Sequence, residues 1–94
     1  MSSPTYEDFE ARARAAGFDE VLTREWAPDT VLATHCHSFD VDALVVRGEM
    51  WLGREGRVEH LKAGDRFSVA RDVPHDERYG PVGTTSWVAR RHPR

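Results

Sequence analysis

The feature that most constrains this chain is a series of short apolar segments, separated by turn residues, that fills the sequence after Gly17. The segments span residues 21–26, 31–35, 43–47, 50–52, 57–61, 67–70 and 84–89. Turn residues divide them at Pro28-Asp29, at the loop 53–56, at Ala63-Gly64-Asp65 and at Pro74. Short strands at close spacing are typical of an antiparallel sandwich or barrel. The pattern therefore predicts an all-β fold of seven to eight strands, with no repeat or linker.

A helical pattern precedes the strands, over residues 4–17. Ser3 is the expected N-cap, and Pro4 suits the first turn. Apolar residues recur at helical spacing at Tyr6, Phe9, Ala13 and Ala16. Gly17 then favours the left-handed conformation that ends a helix. We expect this helix to lie across a sheet face or to cover an edge strand.

Composition and charge argue against two kinds of partner. The chain of 94 residues carries a net charge of −3 with its charges interspersed, so no basic block is available to neutralise a run of phosphates. The basic cluster at residues 90–94 is interpreted as a solvated terminus. No apolar run approaches the roughly 20 residues of a membrane span. We therefore expect neither a nucleic-acid partner nor a membrane.

The N-terminus and the cysteine content bear on where the protein works. Residues 1–12 contain neither a basic segment nor an apolar one, so we do not expect a secretory signal. Cys36 is the single cysteine, so an internal disulfide is excluded. The expected location is a reducing cytoplasm.

Three of the five histidines are placed where a metal site would need them. His35 and His37 are two residues apart, so in an extended strand both side chains point to the same face. His75 follows Pro74 on a segment that can return to the same cavity. Neutral imidazole is a common ligand of first-row transition metals. Taken alone, a His-x-His pair also fits exposed or hydrogen-bonded strand histidines.

The residues around these histidines resemble the two sequence motifs of the cupin superfamily. The stretch from His35 to Gly48 resembles the first motif, which runs H-x-H, three or four residues, an acid, six residues and glycine. The stretch from Gly64 to His75 resembles the second, in which glycine, five residues, proline, any residue, glycine and two residues precede histidine. The turn Ala63-Gly64-Asp65 is similar to the AGD turn of these proteins. The resemblance covers nearly the whole chain and is to small single-domain bacterial cupins.

This resemblance implies a fold and a cofactor. The implied fold is a single cupin domain that spans residues 1–94. It consists of an N-terminal helix within residues 1–17, followed by a double-stranded β-helix, or jelly-roll barrel, over residues 20–91. The implied metal ligands are His35, His37 and His75. The implied cofactor is a divalent transition metal, one of Fe, Mn, Ni, Zn or Cu. A homodimer joined through edge strands is also implied.

Two departures from the family pattern affect the site. The acid position of the first motif falls on Val41, which cannot bind metal, while Asp40 and Asp42 flank it. Asp40 is the preferred substitute ligand, and Asp42 or no carboxylate at all are the alternatives. Ala70 and Asp72 replace the proline and glycine of the second motif, which leaves the histidine in place.

Further candidates lie near the proposed ligands. Glu77 and Tyr79 share the strand parity of His75, so Glu77 is a candidate general base and Tyr79 a candidate donor to a substrate. For each residue a structural interpretation is preferred over the functional one. Glu77 is expected to be a solvated surface acid, and Tyr79 is expected to pack in the core. We expect Cys36 to be buried and His60 to be exposed. The remaining large aromatics are expected in the core or the cavity wall, and they are Trp26, Trp51, Phe67 and Trp87.

Three classes of function remain open. The preferred one is a metal-dependent enzyme of dioxygenase, isomerase or lyase type that acts on a small organic substrate. The alternative is a non-catalytic small-ligand binding or sensing module, and the third is a cupin without metal whose cavity is inert. Fold alone cannot choose among them, because one fold hosts many chemistries.

Overall fold

The order of elements matches the turn-divided pattern of the sequence. The computed structural model describes residues 4–93, which form one helix and eight strands. The elements are α1 (Tyr6–Ala15), β1 (Glu20–Trp26), β2 (Val31–His35), β3 (Asp40–Arg47), β4 (Glu49–Arg54), β5 (Arg57–Lys62), β6 (Arg66–Val69), β7 (His75–Tyr79) and β8 (Thr84–Arg91). The expectation of a mostly β chain with one N-terminal helix is confirmed.

The helix begins two residues later than expected. Thr5 is its N-cap, and its side chain and that of Asp8 form a reciprocal capping box with the two backbone N–H groups. Ser3, the expected cap, lies outside the described residues. Phe9 and Ala13 are buried on the inner side of the helix. Among residues 4–93, no helix has the length and apolar character that crossing a membrane requires.

The eight strands form two antiparallel sheets of four strands each. One sheet has the order β1-β8-β3-β6, and the other has the order β2-β7-β4-β5. In both sheets most neighbours are distant in sequence, so β8 lies between β1 and β3, and β7 between β2 and β4. The pairing of β2 with β7 therefore brings the two histidine segments together.

Two apolar clusters stabilise this arrangement. Between the sheets, residues from both are almost inaccessible to solvent, among them Val45 of β3, Met50 and Leu52 of β4, and Leu61 of β5. On the outer face of the first sheet, the helix packs on Leu44, Ala89 and Trp87. As expected, the helix lies across a sheet face. Each fully buried side chain of this size contributes about 1.5–3 kcal/mol to folding.

One glycine in this fold is required by its surroundings, and a second lies in a strand rather than in the expected loop. Gly48 lies between β3 and β4 with φ +78°, and a Cβ there would collide with the carbonyl oxygen of Gly83. Gly53 was expected in a hairpin loop, but it lies inside β4, opposite Val58, where a Cβ would collide with the carboxylate of Asp76. The turn itself consists of Glu55 and Gly56 alone, both at positive φ, as in a type I′ hairpin.

Candidate metal centre

The structure brings His35, His37 and His75 together at one end of the space between the sheets. His35 and His75 are directly opposite each other in the β2–β7 register, with ring centroids 4.4 Å apart. The His37 ring lies 4.9 Å from that of His35 and 5.0 Å from that of His75. One nitrogen of each ring lies within 4.8 Å of the other two, so the three could hold a metal ion.

The backbone reaches this arrangement by a route that strand alternation did not predict. The register of β2 shifts between Leu32 and His35, so both residues line the cavity although their positions differ in parity. The strand ends at His35, and His37 lies in the irregular segment that follows it. Its carbonyl accepts a hydrogen bond of 2.8 Å from the N–H of Asp72, and its ring stacks on Phe39. His37 is therefore positioned by Asp72, in the loop between β6 and β7, and by Phe39, rather than by strand pairing.

The tautomers of two histidines are fixed by backbone carbonyls. The Nδ1 of His35 lies 2.7 Å from the carbonyl oxygen of Ala33, and the Nδ1 of His75 lies 2.9 Å from that of Val73. Because a carbonyl only accepts, each Nδ1 must carry the proton, which leaves the Nε2 lone pair free. Such bonds orient the imidazoles that bind metals in proteins. Both rings are therefore prepared to act as Nε2 ligands.

The electrostatics of the cluster favour the neutral ring of His37. Burial lowers the pKa of His37 below its usual value, and the positive charges that His75, His35, Arg90 and Arg24 can carry lower it further. A metal binds only the neutral ring, so this shift reduces the competition from protons near neutral pH.

Glu77 faces the cluster, so the expectation of a solvated surface acid is wrong. Its side chain is 12% exposed, and its Oε2 lies 3.5 Å from His35 Nε2 and 3.9 Å from His75 Nε2. The other oxygen, Oε1, accepts a 2.8 Å hydrogen bond from the hydroxyl of Tyr79. Tyr79 is 2% exposed and stacks on Trp26, which agrees with core packing. Burial and the nearby Glu77 charge raise the pKa of Tyr79, so its hydroxyl remains a donor.

The carboxylate of Asp40 is not brought to the histidines. Inward positions of β3 are the odd ones, and Val41 lines the cavity, while the even positions face the other way. Asp40 accepts hydrogen bonds from the Arg71 N–H and from Arg91, which lower its pKa. Asp42 pairs with Arg66. Both acids flanking the family position are therefore used in ion pairs outside the cluster.

Three other expectations have mixed outcomes. Cys36 is exposed, not buried, because the face opposite the cavity is open to solvent at this point. His60 is exposed as expected, and its ring stacks on Trp51 at 4.6 Å. Trp51 was expected in the core or the cavity wall, but it lies on the outer face of its sheet, covered by His60 and by the guanidinium of Arg78.

The histidines and Glu77 border a cavity of about 240 Å³, and the sequence did not point to two of its charged residues. Trp26, Phe39 and Phe67 form apolar walls, and Arg24 and Arg90 also line it. Arg90 was assigned to a solvated terminus, but β8 continues to Arg91. Strand alternation places Arg90 on the same side of β8 as the buried Thr84, Ser86 and Val88, but the burial of that side is known only from the structure.

Comparisons with known proteins relate this architecture to solved structures. An RmlC-like cupin from Shewanella frigidimarina aligns with a TM-score of 0.71 at 23% identity, covering 83% of this chain and 69% of that one. KdgF from Halomonas sp. aligns with a TM-score of 0.65 at 20% identity, covering 78% and 68%. A protein of unknown function from Rhizobium leguminosarum aligns with a TM-score of 0.73 at 14% identity, covering 99% and 98%. No family model and no curated protein matches the sequence. At these identities the likeness shows the fold alone, and that fold is the cupin fold.

Proposed function

We propose that this chain, which has the cupin fold, binds one divalent transition metal ion and acts as a metal-dependent enzyme on a small organic substrate. The ligands in this proposal are Nε2 of His35, Nε2 of His75 and one ring nitrogen of His37. The convergence of three imidazoles on one point, two of them with Nε2 freed by a backbone bond at Nδ1, carries the proposal. The reaction types that suit such a site are those of a dioxygenase, an isomerase or a lyase.

The residues present fit a metal ion of this class. Donor atoms that each lie about 2.0–2.1 Å from one ion stand about 3.0–3.4 Å from one another, so the observed spacing within 4.8 Å needs only small side-chain movements. Imidazole nitrogens suit Fe, Ni, Zn and Cu, whereas Mn, which prefers oxygen ligands, fits three histidines less well. Three protein ligands leave positions open for substrate or water. Bound there, the ion would supply Lewis acidity to an oxygen of the substrate.

The chain's own contribution to the chemistry is assigned to Glu77. Its Oε2 faces the cavity next to the ligand nitrogens, where it can accept or return a proton. Tyr79 is a positioning residue, because its hydroxyl holds Oε1 and so fixes which oxygen faces the substrate. Trp26, Phe39 and Phe67 give the same space apolar walls.

The runner-up is a small-ligand binding or sensing module without catalysis. It is favoured by the valine at position 41, where the resemblance implies a ligating acid. The two alternatives differ at Glu77: an enzyme loses turnover in Glu77→Gln while it keeps its ligand affinity, whereas a binding module has no turnover to lose.

The test of the metal site is elemental analysis of tag-free protein purified without chelators, followed by calorimetric titration of metal-stripped protein with Mn²⁺, Ni²⁺ and Zn²⁺. We expect about one equivalent per chain. A chain that holds no metal after reconstitution contradicts the proposal, and the binding module then becomes the better hypothesis.

Further parts of the proposal concern architecture, assembly and location. We propose that the two sheets are the halves of a jelly-roll barrel over residues 20–91 of a single domain, and that two copies form a homodimer. Edge strands β1, β6, β2 and β5 leave backbone groups unpaired, which a partner strand would satisfy. Light scattering at tens of micromolar should give the dimer mass, and a monomer would contradict it.

The single free thiol of Cys36 supports a reducing cytoplasm as the location.

A further inference from the structure

We propose that the ligand of this cavity is a small organic anion and that Arg24 and Arg90 bind its carboxylate. The inference names the ligand class of the site proposed above and rests on that site being a ligand cavity. It rests on two guanidinium groups whose hydrogen-bonding capacity is incompletely used within the described part of the chain.

Arg24 has the more available guanidinium. It lies over the indole of Trp26, with its central carbon 4.5 Å from the ring centroid. Among residues 4–93 it forms no ion pair and no hydrogen bond. A guanidinium that lies over an aromatic ring keeps its in-plane N–H donors free, and those donors match the two oxygens of a carboxylate. Arg24 is therefore oriented for a bidentate contact with a planar anion.

Arg90 has a donor that its own neighbours do not satisfy. Its Nη1 pairs with Glu20 at 3.3 Å, and its guanidinium lies 4.9 Å from the ring centroid of Phe39. Its Nε is buried and has no hydrogen-bond partner in the described residues. Buried donors are nearly always satisfied, and one that is left unpaired lowers stability. A movement of the Arg90 side chain that opens this Nε to the cavity would let an acceptor on a bound ligand satisfy it.

The charge of the cavity favours a ligand of negative charge. Among its lining residues, two guanidinium groups face the single carboxylate of Glu77. A divalent ion on the three histidines adds further positive charge. In a half-enclosed site with apolar walls, this excess is poorly screened by water, so an organic anion is favoured over an organic cation as the ligand.

The size and walls of the cavity limit the rest of the ligand. A volume of about 240 Å³ equals that of about eight water molecules at roughly 30 Å³ each. This is smaller than the typical site of a drug-sized ligand, about 300–1,000 Å³. The aromatic walls suit a flat or apolar body. A nucleotide or a long acyl chain would extend beyond this space, whereas a compact monocarboxylate fits within it.

The geometry of the two strands allows one ligand to touch both arginines. Arg90 is opposite Glu20, and Arg24 is opposite Ser86, in the β1–β8 pairing. Their backbones are thus four residues apart along the sheet, about 13 Å. Two extended arginine side chains that line one cavity can close most of that distance. The carboxylate is held between them at the β1–β8 wall, facing the histidines of β2 and β7.

The experiment compares benzoate with its neutral isostere benzamide on the full-length, metal-stripped protein by isothermal titration calorimetry. We expect saturable binding of benzoate and binding of benzamide that is weaker by at least about tenfold, because the charge-assisted hydrogen bonds are lost. Arg24→Gln should weaken benzoate binding by a similar factor. Arg24→Lys should lie between the two, since it keeps the charge but not the planar fork. The matched control is Arg57→Gln on the exposed β4–β5 hairpin, which should bind benzoate as the wild type does.

Several outcomes would overturn the inference. They are the absence of saturable benzoate binding at millimolar concentration, equal affinity for benzamide, and wild-type affinity in both Arg24→Gln and Arg90→Gln. Circular dichroism establishes that each variant is folded, and Arg24→Gln suffices if Arg90→Gln is not. Metal titrations of the same samples separate the two proposals. Benzoate binding without metal binding contradicts only the metal site, whereas metal binding without benzoate binding contradicts only the anion site.

Discussion

Replacing His75 with alanine tests the proposed metal site most directly, because His75 is the proposed ligand best fixed by its surroundings. Its side chain is 4% exposed, its Nδ1 is bonded to the Val73 carbonyl, and its ring lies opposite His35 across the β2–β7 pair. Alanine removes one of three nitrogen donors and leaves the other two in position. We expect metal affinity to fall sharply and the fold to persist.

The magnitude of this loss follows from the energetics of metal sites. Apparent zinc affinities of four-ligand structural sites correspond to about 10–16 kcal/mol, or about 2.5–4 kcal/mol for each ligand. At about 1.4 kcal/mol for each factor of ten, the loss of one imidazole should weaken binding by about 60- to 700-fold. The free energy of unfolding of the metal-free protein should fall by about 1–3 kcal/mol, because a buried ring and a hydrogen bond are lost.

The assay is competitive titration of metal-stripped protein with Zn²⁺ against a chromophoric chelator. The matched control is His60→Ala, since His60 is a histidine in a neighbouring strand that is exposed and stacks on Trp51 outside the cavity. The control should keep wild-type affinity. Thermal denaturation without metal shows whether each variant is folded.

Equal losses in the two variants, or no loss in either, would refute the assignment. Equal losses would mean that zinc binds wherever histidine is available. An unchanged His75→Ala affinity, with a folded protein, would mean that the three rings only line the cavity.

Three further predictions address the surroundings of the site. Asp40→Asn should retain one metal per chain, and it should lower the denaturant midpoint at pH 7 relative to wild type. Because the pKa of Asp40 is lowered in the fold, chiefly by the Arg71 N–H, its contribution is present above about pH 3.8 and the difference should vanish as the pH falls below that value. At the left-handed position 72, φ +65°, Asp72→Val should cost about 1–2 kcal/mol of unfolding free energy by urea denaturation, whereas Asp72→Gly should stay within about 0.5 kcal/mol of wild type. Tyr79→Phe should lower the unfolding free energy by about 1–3 kcal/mol, because the Glu77 oxygen loses a buried donor, while the metal content of the purified protein stays unchanged.

Much of the fold could be predicted because strand and helix patterns are local. Segments of alternating or apolar residues between turn residues marked seven of the eight strands, and the helical spacing of Phe9 and Ala13 identified the face that packs on the sheet. The spacing of the two motifs also identified the three histidines that the structure brings together. The helix start was misplaced because Thr5 and Ser3 are both good N-caps, although the sequence already distinguishes them: Thr5 has an acid, Asp8, three residues later, as a capping box requires, and Ser3 has Tyr6.

The left-handed turn before β7 keeps its backbone conformation although its residue differs from that of the family motif. Position 72, where the family motif has glycine, carries aspartate, yet its φ of +65° is in the region that glycine favours. Aspartate tolerates this region better than most residues. The Asp72 N–H then bonds to the His37 carbonyl, so this turn supports the first histidine segment. The motif departure changed the residue type without changing the backbone.

The sequence by itself determined the helix and seven of the eight strands, since these depend on neighbours within a few positions, and the spacing of the two motifs identified the three histidines. Only the tertiary structure decided that Asp40 faces away from the cavity, that Glu77 faces into it and that Arg90 belongs to its wall. The direction in which a strand residue points depends on which face of its sheet is covered and on bulges such as the one before His35. Both are set by pairing between strands far apart in the chain. Such pairing leaves no trace in local periodicity. The charged residues around the proposed metal site could therefore be identified only from the tertiary structure.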